Sequence, residues 1–309
     1  MGDWPLIGVR FALYLALATL FGLSAFSLYG LRAGERGDAL ALRAWLVGSA
    51  ALGLLLSGAW VVLMASSMAG TAPWPVDQEA VAGLLTGSAI GAAWKIRMVA
   101  LVLAAFAATL AAGRGIWLGG AALFSAVALG TLAWTGHGAM DEAAIGWVHL
   151  VADILHLIAS GAWLGALLAL ILLVSRPVAR VDEAHLSLTH SALHGFGTIG
   201  TAVVGTIVAT GLVNGWLMVG IGNVVALPTT GYGMLLLAKL ALFVAMLGLA
   251  SLNRFWLTPA FEASIAGEDH KRALGSLRAS LAVETGCIVA IFGLVAWLGT
   301  LAPPASAMK

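Results

Sequence analysis

Residues 146–174 read GWVHLVADILHLIASGAWLGALLALILLV. The run exceeds the roughly 20 apolar residues that a helix needs to cross a bilayer core, yet it carries His149, Asp153, His156 and Ser160. A strand of a membrane barrel alternates apolar and polar residues over about 10 positions; this stretch is apolar without alternation. It predicts a membrane-spanning helix that bears ionisable groups.

Seven other segments are also long and apolar enough to span. Val9–Leu31, Ala44–Met64, Ile90–Ala112 and Ile116–Trp134 precede the run, and His194–Val219, Tyr232–Leu252 and Leu277–Leu301 follow it. Of 309 residues, 61% are hydrophobic and 9% charged, and the mean hydropathy is +1.02. A soluble domain carries roughly 25% charged residues, and disordered chains are richer still in charge, so both classes are excluded. Fifteen Lys+Arg against 14 Asp+Glu leave a net charge of +1, which offers no basic field for nucleic acid. The lone Cys287 excludes a disulfide framework and a Cys-rich metal cage. The start, MGDWPLIGVR, lacks the basic segment of a secretory signal, so the first span is expected to stay uncleaved. The expected fold is an all-α polytopic bundle of about eight spans. It forms one membrane domain over residues 1–309, with four N-terminal spans in 1–134 and four C-terminal spans in 135–309.

Orientation follows from Lys and Arg in short loops, which favour the cytoplasmic side. Arg32, Arg36 and Arg43 follow the first span, and Arg114 lies between the third and fourth. Arg176 and Arg180 follow the fifth, and Arg254, Lys271, Arg272 and Arg278 lie between the seventh and eighth. Residues 65–89, 135–145 and 220–231 hold no Lys or Arg. Both termini are therefore expected on the outer, periplasmic side of a bacterial inner membrane. The outer loop Ala65–Ala89, with Pro73-Trp74-Pro75, is expected on the membrane surface, and the inner segment Arg254–Leu277, with Glu262, as a solvated connector.

Ionisable groups at membrane depth are costly and mark pathways or sites. At 100° per residue, Asp153, His156 and Ser160 fall within about 40° of His149, forming a stripe about 16 Å long. His137 stands twelve residues before His149, beside Met140, Asp141 and Glu142. Imidazole suits copper, zinc, iron and nickel, and a carboxylate one turn away orients a ring or ligates directly. His137, His149, Asp153, His156 and Met140 are thus the candidate metal ligands; the plain alternative is an interfacial histidine and a structural Asp153–Lys239 pair. Lys239, Met246 and Asn253 share one face of the seventh span. Lys95 and Arg97 open the third, where snorkelling to headgroups is the plain reading. Glu284 shares a face of the last span with Ser280 and Cys287. Met64 and Met68, one turn apart, offer soft thioethers that suit Cu(I), although methionine also fills apolar gaps. His190 and His194, four residues apart on the inner side, share a face if the helix starts that early.

These residues also carry a resemblance. Thr229 to Leu240 (TTGYGMLLLAKL) with Asn253-Arg254, and Leu277-Arg278 through Glu284 with Gly286, resemble the signature of the bacterial copper-resistance membrane protein family CopD. Thr135-Gly136-His137, the fifth-span stretch with Trp163-Leu164-Gly165, Thr210-Gly211 and Asn214 are similar to the same family's central helices. The resemblance covers roughly 130–305, while the first four spans match in hydropathy. It implies an inner-membrane protein that handles copper, moving it from periplasm to cytoplasm, often beside the periplasmic carrier CopC, with His137, His149 and His156 as candidates for the copper site. Two features depart from the pattern: no CopC-like β domain is fused here, so a carrier is expected as a separate chain, and long Met-rich tracts are absent.

Three functions fit. Copper transport through a His/Asp-lined path needs sites weak enough to release the ion, and no Walker loop is present to drive it with ATP; enzymatic activity is not expected. A b-type haem or quinone-linked redox protein would use the same histidines, but His149 and His156 share one helix, whereas paired haem ligation usually takes opposed helices. A copper-binding scaffold or sensor without transport is the third.

Overall fold

The computed structural model describes residues 4–32, 34, 40–111, 114–135, 143–176, 183–265 and 270–304. Among them every regular element is helical and none is a strand. The helices are α1 Trp4–Tyr29, α2 Leu42–Ala69, α3 Gln78–Gly87, α4 Ala89–Leu110, α5 Gly115–Gly130, α6 Ala143–Val174, α7 Glu183–Val219, α8 Gly231–Leu252, α9 Thr258–Ile265 and α10 His270–Leu298. A 3-10 stretch, Thr131–Thr135, prolongs α5; another, Ile221–Thr229, links α7 to α8; one π-helical turn, Asn253–Leu257, joins α8 to α9. Eight of these segments are long and apolar enough to cross a membrane, and α8 with α9 counts as one. The protein is a multi-pass membrane protein.

The turn chemistry is local. Asp77 accepts from the Ala80 amide at 3.0 Å to start α3, and Ser88 accepts from the Gly91 amide at 3.0 Å to start α4. Gly70 ends α2 at φ 67°, a left-handed conformation that glycine adopts at no steric cost.

α1 is the hub, packing on α2, α5, α6 and α10. Its approach to α6 depends on small residues: a Cβ on Gly22 would strike Gly161 O and the Gly165 backbone, and one on Gly165 would strike Gly22. Such stripes let membrane helices come close enough for dispersion to hold them. Accordingly 61% of the apolar windows of α1 and α6 is buried, against 6% for α8 with α9. Trp4 and Trp297 lie with ring centroids 5.3 Å apart, and Arg10 Nη1 donates to Gly299 O at 2.9 Å, so the start of α1 and the end of α10 share one end of the bundle.

Three boundaries differ from the hydropathy reading. The sixth span's helix starts at Glu183 rather than His194, because the polar turns around His185 and Thr189 continue it, Thr189 Oγ1 donating to His185 O at 2.8 Å. Segment 65–89, expected on the outer side, contains α3. Segment 254–277, expected as a solvated inner connector, is largely helix: α8 runs through the π turn into α9, and α10 begins at His270. Hydropathy marks where a helix leaves the lipid, whereas backbone hydrogen bonds carry it farther.

Candidate functional site

α6 turns Trp147, Val148, Val151 and Leu155 outward and its polar stripe inward. His149 is buried, and its Nε2 lies 3.9 Å from Asp153 Oδ2. Asp153 Oδ1 accepts from Asn214 Nδ2 of α7 at 2.6 Å. One turn on, His156 Nδ1 lies 2.9 Å from Thr210 Oγ1, also of α7. The Thr210 hydroxyl proton is already committed to Thr206 O at 2.6 Å, so the oxygen accepts from His156. The neutral ring then carries its proton on Nδ1 and presents Nε2 as a lone-pair donor, the form in which imidazole ligates metals. Two polar rungs between antiparallel helices thus fix the stripe, and the residues that make them, Asn214 and Thr210, are four apart on one face of α7.

Beside these rungs lies a cavity of about 520 Å³ between α1, α6, α7, α8 and α10. Asp153, His156 and Ser160 line it; His149 sits behind Asp153. Lys239 lines the same cavity, close enough to Asp153 to interact electrostatically, although no direct ion pair joins them. Arg10 and Tyr14 reach it from α1. The thioethers that face it are Met218, which accepts from Tyr232 Oη at 3.7 Å, and Met246.

Other sequence candidates lie elsewhere. His137 and Met140 fall outside the described residues. Met64 packs against the core and Met68 is 65% exposed, both on α2, which packs on α1, α3 and α4. Lys95 is exposed. Arg97, read as snorkelling, instead is fully buried: Nε donates to Thr131 Oγ1 at 2.9 Å, Nη2 to Thr131 O at 3.4 Å, and its guanidinium carbon lies 5.4 Å from the Trp60 ring centroid. Partners inside the bundle outweigh the distant headgroups.

A second cavity of about 480 Å³ lies toward the other end. Glu284, buried on α10, is held there by Trp163 Nε1 and Asn253 Nδ2, two donors from different spans. His194 lines this cavity. Its neighbour His190 points Nε2 at Glu262 Oε2, 3.5 Å away, with the two imidazole centroids 6.3 Å apart, as the early start of α7 allows. Cys287 is half-buried against the core. Among the described residues no three His, Cys, Asp or Glu side chains converge in a metal-holding group. Among the described residues, His149 and His156 lie on α6 near the first cavity and His185, His190 and His194 on the early turns of α7, and none of these five faces another across the bundle at one depth.

Fold and polar groups together define an eight-span helical membrane protein with ionisable cavities at two depths. Residues 1–147 match the family model for the copper resistance protein D-like N-terminal domain, and residues 190–298 match the model for copper resistance protein D. The chain belongs to the copper resistance protein D family. It is 45% identical over 308 residues to copper resistance protein D of Pseudomonas syringae pv. tomato, covering 98% of both chains. It is 30% identical over 257 residues to the copper transport protein CutJ of Bacillus subtilis (strain 168), covering 81% of this chain and 46% of that one. It is 27% identical over 172 residues to the inner membrane protein YebZ of Escherichia coli (strain K12), covering 56% and 55%. No solved structure matches. The match over 1–147 extends the likeness into the spans where the sequence showed it mainly in hydropathy.

Proposed function

We propose that this protein carries copper across the bacterial inner membrane, from periplasm to cytoplasm, with copper as cargo and not as a resident cofactor. The eight spans act as one membrane domain, and the protein catalyses no chemical conversion of a substrate. The periplasmic end is the one where α7 meets α8, which agrees with the absence of Lys and Arg from 220–231. Copper, delivered by a CopC-like carrier, enters at His137, His149 and Met140 and is passed to Asp153 and His156.

The observation that carries this reading is the pairing of His156 with Thr210. It leaves one imidazole nitrogen free to ligate beside a carboxylate in a cavity at membrane depth. Met218 and Met246 add soft donors to the same wall. Few ligands of mixed type make a site that can release its ion. Lys239 limits how much positive charge the cavity holds, which favours a monovalent over a divalent ion. The relatives named for copper resistance and copper transport support the cargo.

The test is copper uptake into proteoliposomes by the wild type, His149→Ala and His156→Ala. The reading expects reduced flux in both variants; equal flux in all three removes the path.

A further inference from the structure

Glu284 is the most enclosed acid among the described residues, 1% exposed. Oε1 accepts from Trp163 Nε1 at 2.9 Å and Oε2 from Asn253 Nδ2 at 2.8 Å. Both donors are neutral. Among the described residues, no charged group of the elements packed on α10 forms an ion pair with Glu284. On α1, Arg10 and Tyr14 face the first cavity. On α6, Asp153 and His156 lie at least two turns from Trp163, with His149 behind them, and on α8 Lys239 faces the first cavity. After α8, Arg254 lines the second cavity, but its Nη1 donates to Thr201 Oγ1 at 2.5 Å and its guanidinium carbon stands 5.5 Å from the Phe255 centroid. On α9, Glu262 faces His190. On α10 itself, Arg278 donates to the carbonyls of Val174 and Arg176, and Cys287 is one turn on. From α7, His194 shares the cavity. Among the described residues no cation lies within ion-pair distance of Glu284.

A carboxylate at this depth without a counter-ion is costly, whereas a carboxylic acid needs an acceptor for its O–H. Asn253 supplies one: its Oδ1 is buried and has no hydrogen-bond partner. A half-turn of the amide exchanges Nδ2 for Oδ1 opposite Glu284 Oε2. The same pair is then satisfied in both states, the anion accepting from N–H and the acid donating to C=O, while Trp163 keeps Oε1 throughout. Glu284 also borders the second cavity, through which water can reach it. The Trp163 ring in turn packs edge-on against Phe243, centroids 6.2 Å apart, and Phe243 lines the first cavity. The ring held by Glu284 therefore stands between the two cavities.

We propose that Glu284 is an exchangeable proton site, with Asn253 as its rotating partner, through which proton binding is coupled to the movement of copper past Trp163 and Phe243. Protonation takes one proton from hydronium reaching the second cavity, leaves water behind and converts the carboxylate to the neutral acid; no electron moves. The coupling rests on the transport reading above, whereas the proton site does not.

Infrared difference spectroscopy on the full-length protein between mildly acidic and mildly alkaline buffer reads the site directly. A carboxylic C=O band that appears on acidification and is absent in Glu284→Gln is expected; no such band overturns the proposal and leaves the transport reading standing. Should Glu284→Gln misfold, Asn253→Ala reads the same contact, because loss of the acceptor must move the band to the frequency of a free acid, and an unmoved band overturns the pairing. In proteoliposomes holding a pH dye, copper entry is expected to move protons in the wild type and not in Glu284→Gln. Copper entry without proton movement in the wild type overturns the coupling. No copper entry with the infrared band intact overturns the transport reading and the coupling with it, and Glu284 stands as a proton site.

Discussion

Arg97 and Asp153 are both ionisable groups inside the bilayer, and they differ in what surrounds them. Arg97, in the N-terminal half, is packed solid between Thr131 and Trp60 on a helix that borders neither cavity. Around it Ser24, Ser27 and Ser125 each donate to a carbonyl four residues back. Asp153 and His156 are tied at one edge by Asn214 and Thr210, and the rest of each side chain opens on a cavity. Burial of charge alone therefore does not mark a site in this molecule. The proposed site rests on charged groups held on one side and open on the other.

The contrast can be broken by substitution. The largest effect is expected from Gly165→Leu, which drives a side chain into the Gly22 backbone; in detergent extracts this variant should yield no folded protein, and normal recovery would show that α1 and α6 do not approach as described. Next comes Arg97→Ala, which leaves a void among Thr131 and Trp60 and should cost roughly 2–4 kcal/mol in denaturant unfolding, with copper uptake per folded molecule unchanged. A selective loss of uptake at wild-type stability would move Arg97 into the path. His156→Ala is expected to do the reverse, lowering copper affinity by roughly 10–100-fold, as loss of a metal-site group does, while the unfolding midpoint stays near that of the wild type.

Thr210→Val sharpens the same comparison. It keeps the shape of the threonine but removes the acceptor that holds the His156 tautomer, so a fall in copper affinity of about a few-fold is expected by isothermal titration, smaller than for His156→Ala. Met68→Ala, on an exposed position of α2, should leave both affinity and stability unchanged; a measurable loss would mean that the outer methionines take part in capture.

Much of this architecture is legible without coordinates. The 3.6-residue period puts His149, Asp153, His156 and Ser160 on one face of α6, and long apolar runs without alternation leave helices as the only spanning solution. What the chain alone does not reveal is who meets whom between spans. Thr210 and Asn214 are four residues apart, a visible pattern, but only the antiparallel register of α6 and α7 shows that they bind His156 and Asp153. Glu284 is conspicuous as an acid in an apolar run, yet its donors lie 121 and 31 residues away. Arg97 illustrates the opposite failure, since snorkelling and burial start from the same residue in the same position, and neighbours decide between them. The start of α7 was hidden for a different reason: Glu183, His185 and His190 are polar, and hydropathy says nothing about whether a polar turn continues a helix.

The central claim is that copper is held at the α6 stripe beside the first cavity. X-ray absorption at the copper edge on the purified, copper-loaded protein tests it most directly. The account predicts imidazole scattering in the wild type that falls in His149→Ala and His156→Ala and is untouched in His190→Ala. Imidazole scattering that survives both α6 substitutions and disappears with His190→Ala would contradict it.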